Sequence, residues 1–129
     1  MKATPFLMFQ GDAGPALELW SAAIPELEIL ELARYPSGPQ EGQIASARIG
    51  IGGSEWRLYD SPPMHDFTFT PASSIFIDCD DEAQLRRLAE LLGDGGQVMM
   101  PIDNYGFSQL FTWIADRFGV SWQINLPLE

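Results

Sequence analysis

The sequence predicts an α+β protein in which two tandem β-α-β-β-β modules form a cupped mixed sheet. The first ground is internal repetition. Leu7, Phe9, Leu17, Trp20 and Ile24 line up with Ile75, Ile77, Leu85, Leu88 and Leu92, and each series reads as a short apolar strand, an acidic turn and an amphipathic helix. The second is that both halves close on a Gly-x-x-Trp strand, Gly53-Ser-Glu-Trp56-Arg-Leu58 and Gly119-Val-Ser-Trp122-Gln-Ile124. The third is that the unit occurs only twice, whereas a solenoid needs three or more copies to bury a continuous core. One domain over 1–129 is expected, with modules at about 1–61 and 73–129 and a linker at about 62–72.

The elements follow in order. Thr4 to Gln10 alternates as a strand, and Asp12 stands as N-cap to a helix that places Ala16, Leu17, Trp20 and Ile24 on one face before Pro25. Leu27 to Tyr35 reads as the second strand, and Pro36-Ser-Gly-Pro39 as a turn. In the third strand, Gln43 to Ile51, residues Ala45, Ala47, Ile49 and Ile51 alternate with Ile44, Ser46, Arg48 and Gly50. Gly52-Gly53 makes a hairpin into the fourth strand, Glu55 to Asp60. Past the linker, Ser73 to Cys79 restarts the pattern, and Asp80 or Asp81 caps a helix with Leu85, Leu88, Ala89 and Leu92 on its apolar side. Strands near Gln97–Ile102, Ser108–Asp116 and Val120–Leu126 complete the second module. Period-2 alternation sends Leu7, Phe9, Ile75, Ile77 and Cys79 toward the helices, and Phe6, Met8, Gln10, Ser74, Phe76 and Asp78 toward the concave side.

Composition narrows the class of function. The chain has 129 residues, 46% hydrophobic and 12% aromatic, which is globular rather than disordered. A net charge of −11 repels phosphate backbones and anionic lipid, so neither nucleic acid nor membrane is expected as a partner. No run is long enough to span a bilayer, nothing at the start reads as a secretory signal, and the single Cys79 fits a reducing cytoplasm.

The segment Pro5-Phe-Leu-Met-Phe-Gln-Gly-Asp12 with Ala16 and Trp20, then Gly42, Gly53, Ala72-Ser73-Ser74, and above all Trp113-x-x-Asp116-Arg-Phe-Gly-Val-Ser-Trp-Gln-Ile124, resembles the vicinal oxygen chelate superfamily of glyoxalases, bleomycin-resistance proteins and extradiol dioxygenases. The nearer likeness is to its PhnB-like branch, whose domains often carry the label 3-demethylubiquinone-9 3-methyltransferase. Trp20 stands where that branch usually has tyrosine. The resemblance covers essentially the whole chain. It implies a small-molecule ligand and a homodimer, and unpaired sheet edges argue for the dimer too.

Metal-dependent members of that superfamily take two ligands per module, usually His and Glu, from the first and last strands. The corresponding positions here are approximately Phe6, Arg57, Ser74 and Gln123. Phe lacks a donor atom, Arg repels a cation and Ser is a weak ligand, so no metal is expected. No other cofactor is expected either. Methyl transfer from S-adenosylmethionine calls for a strand, a glycine-rich turn and a helix start, whereas Gly93-Asp-Gly-Gly96 follows a helix.

Individual residues carry competing readings. Trp56 and Trp122 share a face with Leu58 and Ile124, as core anchors would. Arg57 faces the cup and needs either an internal carboxylate or an anionic ligand. Gln123 serves either the ligand or a backbone bond across the pseudo-twofold, and Tyr59 either donates to a ligand or is solvated. Asp60 and Asp78 are the acidic groups nearest the cup. Cys79 reads as a buried inert thiol, and His65 beside Asp66 lacks any motif-placed nucleophile. Glu26 and Glu28 are expected on one face of their strand and Glu31 on the other.

The leading expectation is a metal-free small-molecule binder, its ligand site lined by Phe6, Met8, Arg57, Tyr59, Ser74, Phe76 and Gln123. A metal-independent enzyme on a small, anionic aromatic substrate is the alternative, and a structural protein with a filled cup is the third. Methionine and aromatic lining with few polar contacts suits ligand burial. No pair of titrating groups is placed for acid–base catalysis.

Overall fold

Each half of the chain runs strand, helix and three strands, as the repeat requires. The structure is a computed structural model that describes residues 1–129 and divides into two units, Met1–Phe67 and Thr68–Glu129. The first unit contains β1 (Phe6–Phe9), α1 (Ala13–Ala23), β2 (Glu28–Arg34), β3 (Ile44–Ile51) and β4 (Ser54–Asp60). The second contains β5 (Ser74–Asp78), α2 (Glu82–Gly93), β6 (Gln97–Asp103), β7 (Leu110–Ala115) and β8 (Ser121–Leu126). Each unit has one four-stranded mixed sheet, ordered β1-β4-β3-β2 and β5-β8-β7-β6. The first strand of each pairs in parallel with the last, and the remaining pairs are antiparallel. A parallel pair needs a long crossover, which α1 and α2 begin.

The helices cover one face of each sheet. In the first unit Leu17 and Trp20 of α1 are buried together with Phe9, Ala47, Ile49 and Leu58, and the Phe9 and Trp20 rings lie 5.9 Å apart. In the second unit Leu85, Leu88 and Leu92 of α2 are buried with Ile75, Ile114, Trp122 and Ile124. The repeat-matched pairs Leu17 and Leu85, Trp20 and Leu88, and Ile24 and Leu92 are all core residues. Trp122 is fully buried, whereas its counterpart Trp56 is half-buried. Cys79 is buried, its N–H donating to the Asn125 carbonyl at 2.7 Å.

The start of α1 is held differently from the expectation. Asp12 occupies the cap position, but its side chain makes no capping bond. The acceptor comes instead from Asp60 at the end of β4. Its Oδ1 accepts the N–H groups of Gly11 and Ala13, both at 2.9 Å, and its Oδ2 accepts the Ile44 N–H at 2.9 Å. The Asp60 carbonyl takes the Tyr35 hydroxyl and the Gln40 amide besides. Asp60 is 1% exposed, so it is a structural hub and not an acidic group of the cup. By contrast α2 is capped locally, Asp81 accepting from the Gln84 N–H at 2.8 Å while the Gln84 side chain accepts from the Asp80 N–H at 2.7 Å.

Two strands depart from simple alternation. A register break in β2 between Ile29 and Glu31 puts Glu28 opposite Gly50 and Glu31 opposite Arg48. Gly50 and Arg48 are two residues apart, so the bulge brings Glu28 and Glu31 to the same face, correcting the expectation that they diverge. In β3 the ladder to β4 begins only at Ala47 opposite Leu58, and Ile44 is buried although alternation groups it with Ser46 and Arg48. Its N–H goes to the Asp60 carboxylate instead of to the ladder.

Removing the hub should therefore be severe. Asp60→Ala strips the acceptor from three backbone N–H groups, each worth about 1–3 kcal/mol when left unsatisfied in a buried place. Urea melts of Asp60→Ala are expected to show a loss of at least about 3 kcal/mol. A loss under about 1 kcal/mol would contradict the hub assignment.

Candidate ligand-binding faces

The face of each sheet away from its helix carries the candidate site residues, and cross-strand register arranges them in rows. In the first unit one row runs Phe6, Arg57, Arg48 and Glu31 across β1, β4, β3 and β2. The next places Met8 beside Tyr59. Phe6 is 61% exposed and stacks on Tyr59, with centroids 4.9 Å apart and planes at 15°.

Arg57 and Arg48 lie directly opposite each other, an arrangement that is unfavourable unless a charge is compensated. Arg48 is the compensated one. Its Nε lies 2.9 Å from Glu31 Oε2 and its Nη1 3.3 Å from Glu55 Oε1. The hydrogen bond from Arg48 holds the Glu31 carboxyl below the usual carboxylate range. Glu55 is held low by Lys2, 3.1 Å away, and then by Arg48. Glu31 in turn raises the Arg48 guanidinium. Arg57 has no carboxylate within ion-pairing distance and is exposed, so its guanidinium is the open cation of this face. The Tyr59 hydroxyl likewise has no partner in the chain.

In the second unit the central row runs Phe76, Gln123, Trp113 and Met100 across β5, β8, β7 and β6. Gln123 thus sits between two aromatic side chains. It donates to Ser74 Oγ at 3.2 Å, a side chain of its own unit and not a backbone group. Ser74 lies opposite Ser121, their hydroxyl oxygens 2.6 Å apart, and the Trp113 indole donates to Ser121 Oγ at 2.8 Å. Farther along, Asn125 donates to Asp78 at 2.9 Å and accepts from the Ser108 hydroxyl. Phe76 is 54% exposed and lies near Phe111, which packs against Phe107 and Tyr105.

All seven expected site residues lie on open faces: Phe6, Met8, Arg57 and Tyr59 in the first unit, and Ser74, Phe76 and Gln123 in the second. Arg48, Glu31 and Glu55 were missed, although alternation already placed Arg48 on one side of β3. Ser121 was missed too, and it follows from Gln123 by the same period. Register also shows that the residue paired with Gln123 is Phe76, whereas Ser74 pairs with Ser121.

The side chains do not fit a divalent ion. No three His, Cys, Asp or Glu groups are gathered to hold one. On the first face Glu31 and Glu55 are committed to Arg48 and Lys2, which leaves Glu28 without a second carboxylate to share an ion, and Asp78 is tied to Asn125. His65 lies in the loop after β4, its ring against Phe67 at 4.8 Å and its N–H donating to Gln10 Oε1 at 3.0 Å. No helix is long and apolar enough to cross a membrane.

Comparison with known proteins places the chain. Residues 1–125 match the family described as 3-demethylubiquinone-9 3-methyltransferase. The structure of the PhnB protein from Bacillus cereus is 38% identical with a TM-score of 0.90, over 98% of this chain and 99% of that one. The YjdN protein of Escherichia coli K12 is 22% identical over 98% of this chain and 95% of its own length. A glyoxalase/bleomycin-resistance/dioxygenase domain from Frankia, 14% identical, shares the fold with a TM-score of 0.67 over 100% of this chain and 93% of that one. The chain belongs to the PhnB-like family described as 3-demethylubiquinone-9 3-methyltransferase.

Proposed function

We propose that this protein binds a small aromatic molecule bearing a carboxylate or phosphate, without a metal ion, and that Arg57 is its anchor. The observation that carries this reading is the asymmetry between the two facing arginines. Arg48 is neutralised by Glu31 and Glu55, while Arg57 is left open on a chain of net charge −11. A guanidinium offers planar, paired donors suited to carboxylate and phosphate. Phe6, stacked on Tyr59, and Met8 beside them supply an apolar surface for a ring, and the Tyr59 hydroxyl is available to donate. The open face of the second unit has its own aromatic surface and neutral polar groups, Phe76 with Ser74 and Gln123. The family description names a methyltransferase, but neither face supplies the glycine-rich strand-to-helix turn that would hold a methyl-donor cofactor.

The protein is further proposed to be a homodimer. Phe6, Leu30, Phe76 and Phe107 are all exposed in the single chain, apolar side chains that a second copy would take out of water.

Three measurements test these readings. Titration with benzoate and phenyl phosphate is expected to show binding, and Arg57→Ala should weaken it by about 1.5–3 kcal/mol, the scale of a charge-assisted hydrogen bond, while leaving the melting temperature nearly unchanged. If no aromatic anion binds and Arg57→Ala unfolds the protein, the arginine is structural and the anchor is lost. Elemental analysis of protein purified without chelators should find no stoichiometric transition metal. Zinc, nickel, iron or manganese at one per chain, lost on mutating Gln123, would overturn the metal-free reading. Light scattering should give a dimer mass, and a monomer mass across a wide concentration range would refute the homodimer.

A further inference from the structure

The hydroxyl pair on the second unit's open face has a defined proton count. Ser121 is 1% exposed, and its Oγ already accepts from the Trp113 indole N–H. If Ser74 also donated to it, the Ser121 hydrogen would be buried with no acceptor, a costly arrangement. Ser121 therefore donates to Ser74 across 2.6 Å. Ser74 Oγ then accepts twice, from Ser121 and from the Gln123 amide, which fills its lone pairs. With the Gln123 amide nitrogen turned toward Ser74, that hydroxyl's own hydrogen has no acceptor within the chain. Ser74 is half-buried, so that hydrogen is presented on the open face as an oriented donor. Next to it, Gln123 uses its amide nitrogen on Ser74 and leaves Oε1 without a partner, an acceptor beside the donor.

From this we infer that the Ser74–Gln123 pair reads the cis amide edge of a planar ring, a carbonyl beside an N–H, as in a lactam or aromatic carboxamide. The carbonyl accepts from Ser74 and the N–H donates to Gln123 Oε1. Phe76 and Trp113, on either side of Gln123 in the row, offer aromatic surface to the ring. Neither group of the pair is charged, so this subsite selects a neutral edge where Arg57 selects an anion. The inference rests on the reading of the open faces as ligand surfaces, but not on Arg57.

The test uses 2-pyridone, which carries that edge, and N-methyl-2-pyridone, which lacks the donor, in ¹H–¹⁵N spectra of the full chain. The expected result is that 2-pyridone shifts the Trp113 indole and Gln123 side-chain amide resonances. N-methylation should weaken binding about tenfold, the scale of one lost hydrogen bond with its partner left unpaired. Ser74→Ala and, independently, Gln123→Met should each do the same in protein whose remaining spectrum is unchanged. Arg57→Ala should leave 2-pyridone binding intact while weakening that of benzoate about tenfold or more. No shift of those two resonances, or equal binding of the two pyridones, would overturn the inference, even if benzoate binds through Arg57. Loss of benzoate binding alone would remove the anion anchor and leave this subsite standing.

Discussion

A buried carboxylate is tolerated only when its lone pairs meet donors, and each unit is organised around one that does. In the first, Asp60 gathers the N–H groups of Gly11, Ala13 and Ile44, so one side chain fixes the exit of β1, the start of α1 and the start of β3. In the second, Asp116 accepts from Phe118 and Val120 and from the Trp122 indole, closing the β7–β8 turn onto the core tryptophan. The registers of both sheets are set against these anchors. Everything placed on the open faces, including the opposed arginines and the serine pair, inherits its position from them.

Register is what turns residue types into sites here. Because directly opposed residues share a face, Arg57 meets Arg48, and the repulsion has to be answered by carboxylates. Glu31 answers it only because a bulge in β2 turns Glu31 to that face. The same rule brings Ser74 to Ser121, where the indole of Trp113 settles which hydroxyl gives up its hydrogen. The two faces use related strand positions for different chemistries, one built on an ion-pair network, the other on linked hydroxyl, amide and indole groups.

Much of this was legible beforehand. The repeat located both helices and the first and last strand of each module, local pattern supplied the middle strands, and alternation sorted the faces of β1 and β5 correctly, because a helix-covered sheet face must be uniformly apolar. The same period put the seven candidate residues on the faces away from the helices. What escaped were long-range effects that local pattern does not carry. Asp12 looked like the cap of α1 because it precedes the helix, yet the acceptor arrives from Asp60, far along the chain. Glu31 looked as if it faced away from Glu28 because a bulge leaves no mark in a run such as Glu28 to Arg34. The pairing of Ser74 with Ser121 depends on a parallel register, which no single strand encodes.

The outermost strands bear on how such a protein avoids uncontrolled assembly. Opposite the margins formed by β1 and β5, β2 and β6 form the other margin of each sheet, and both carry register shifts, with Pro101 in β6 lacking an N–H altogether. An incoming strand could not zip along either margin without falling out of step, so growth of a continuous cross-chain ladder is frustrated at its first few bonds. These two rims are thereby made poor templates for fibrils.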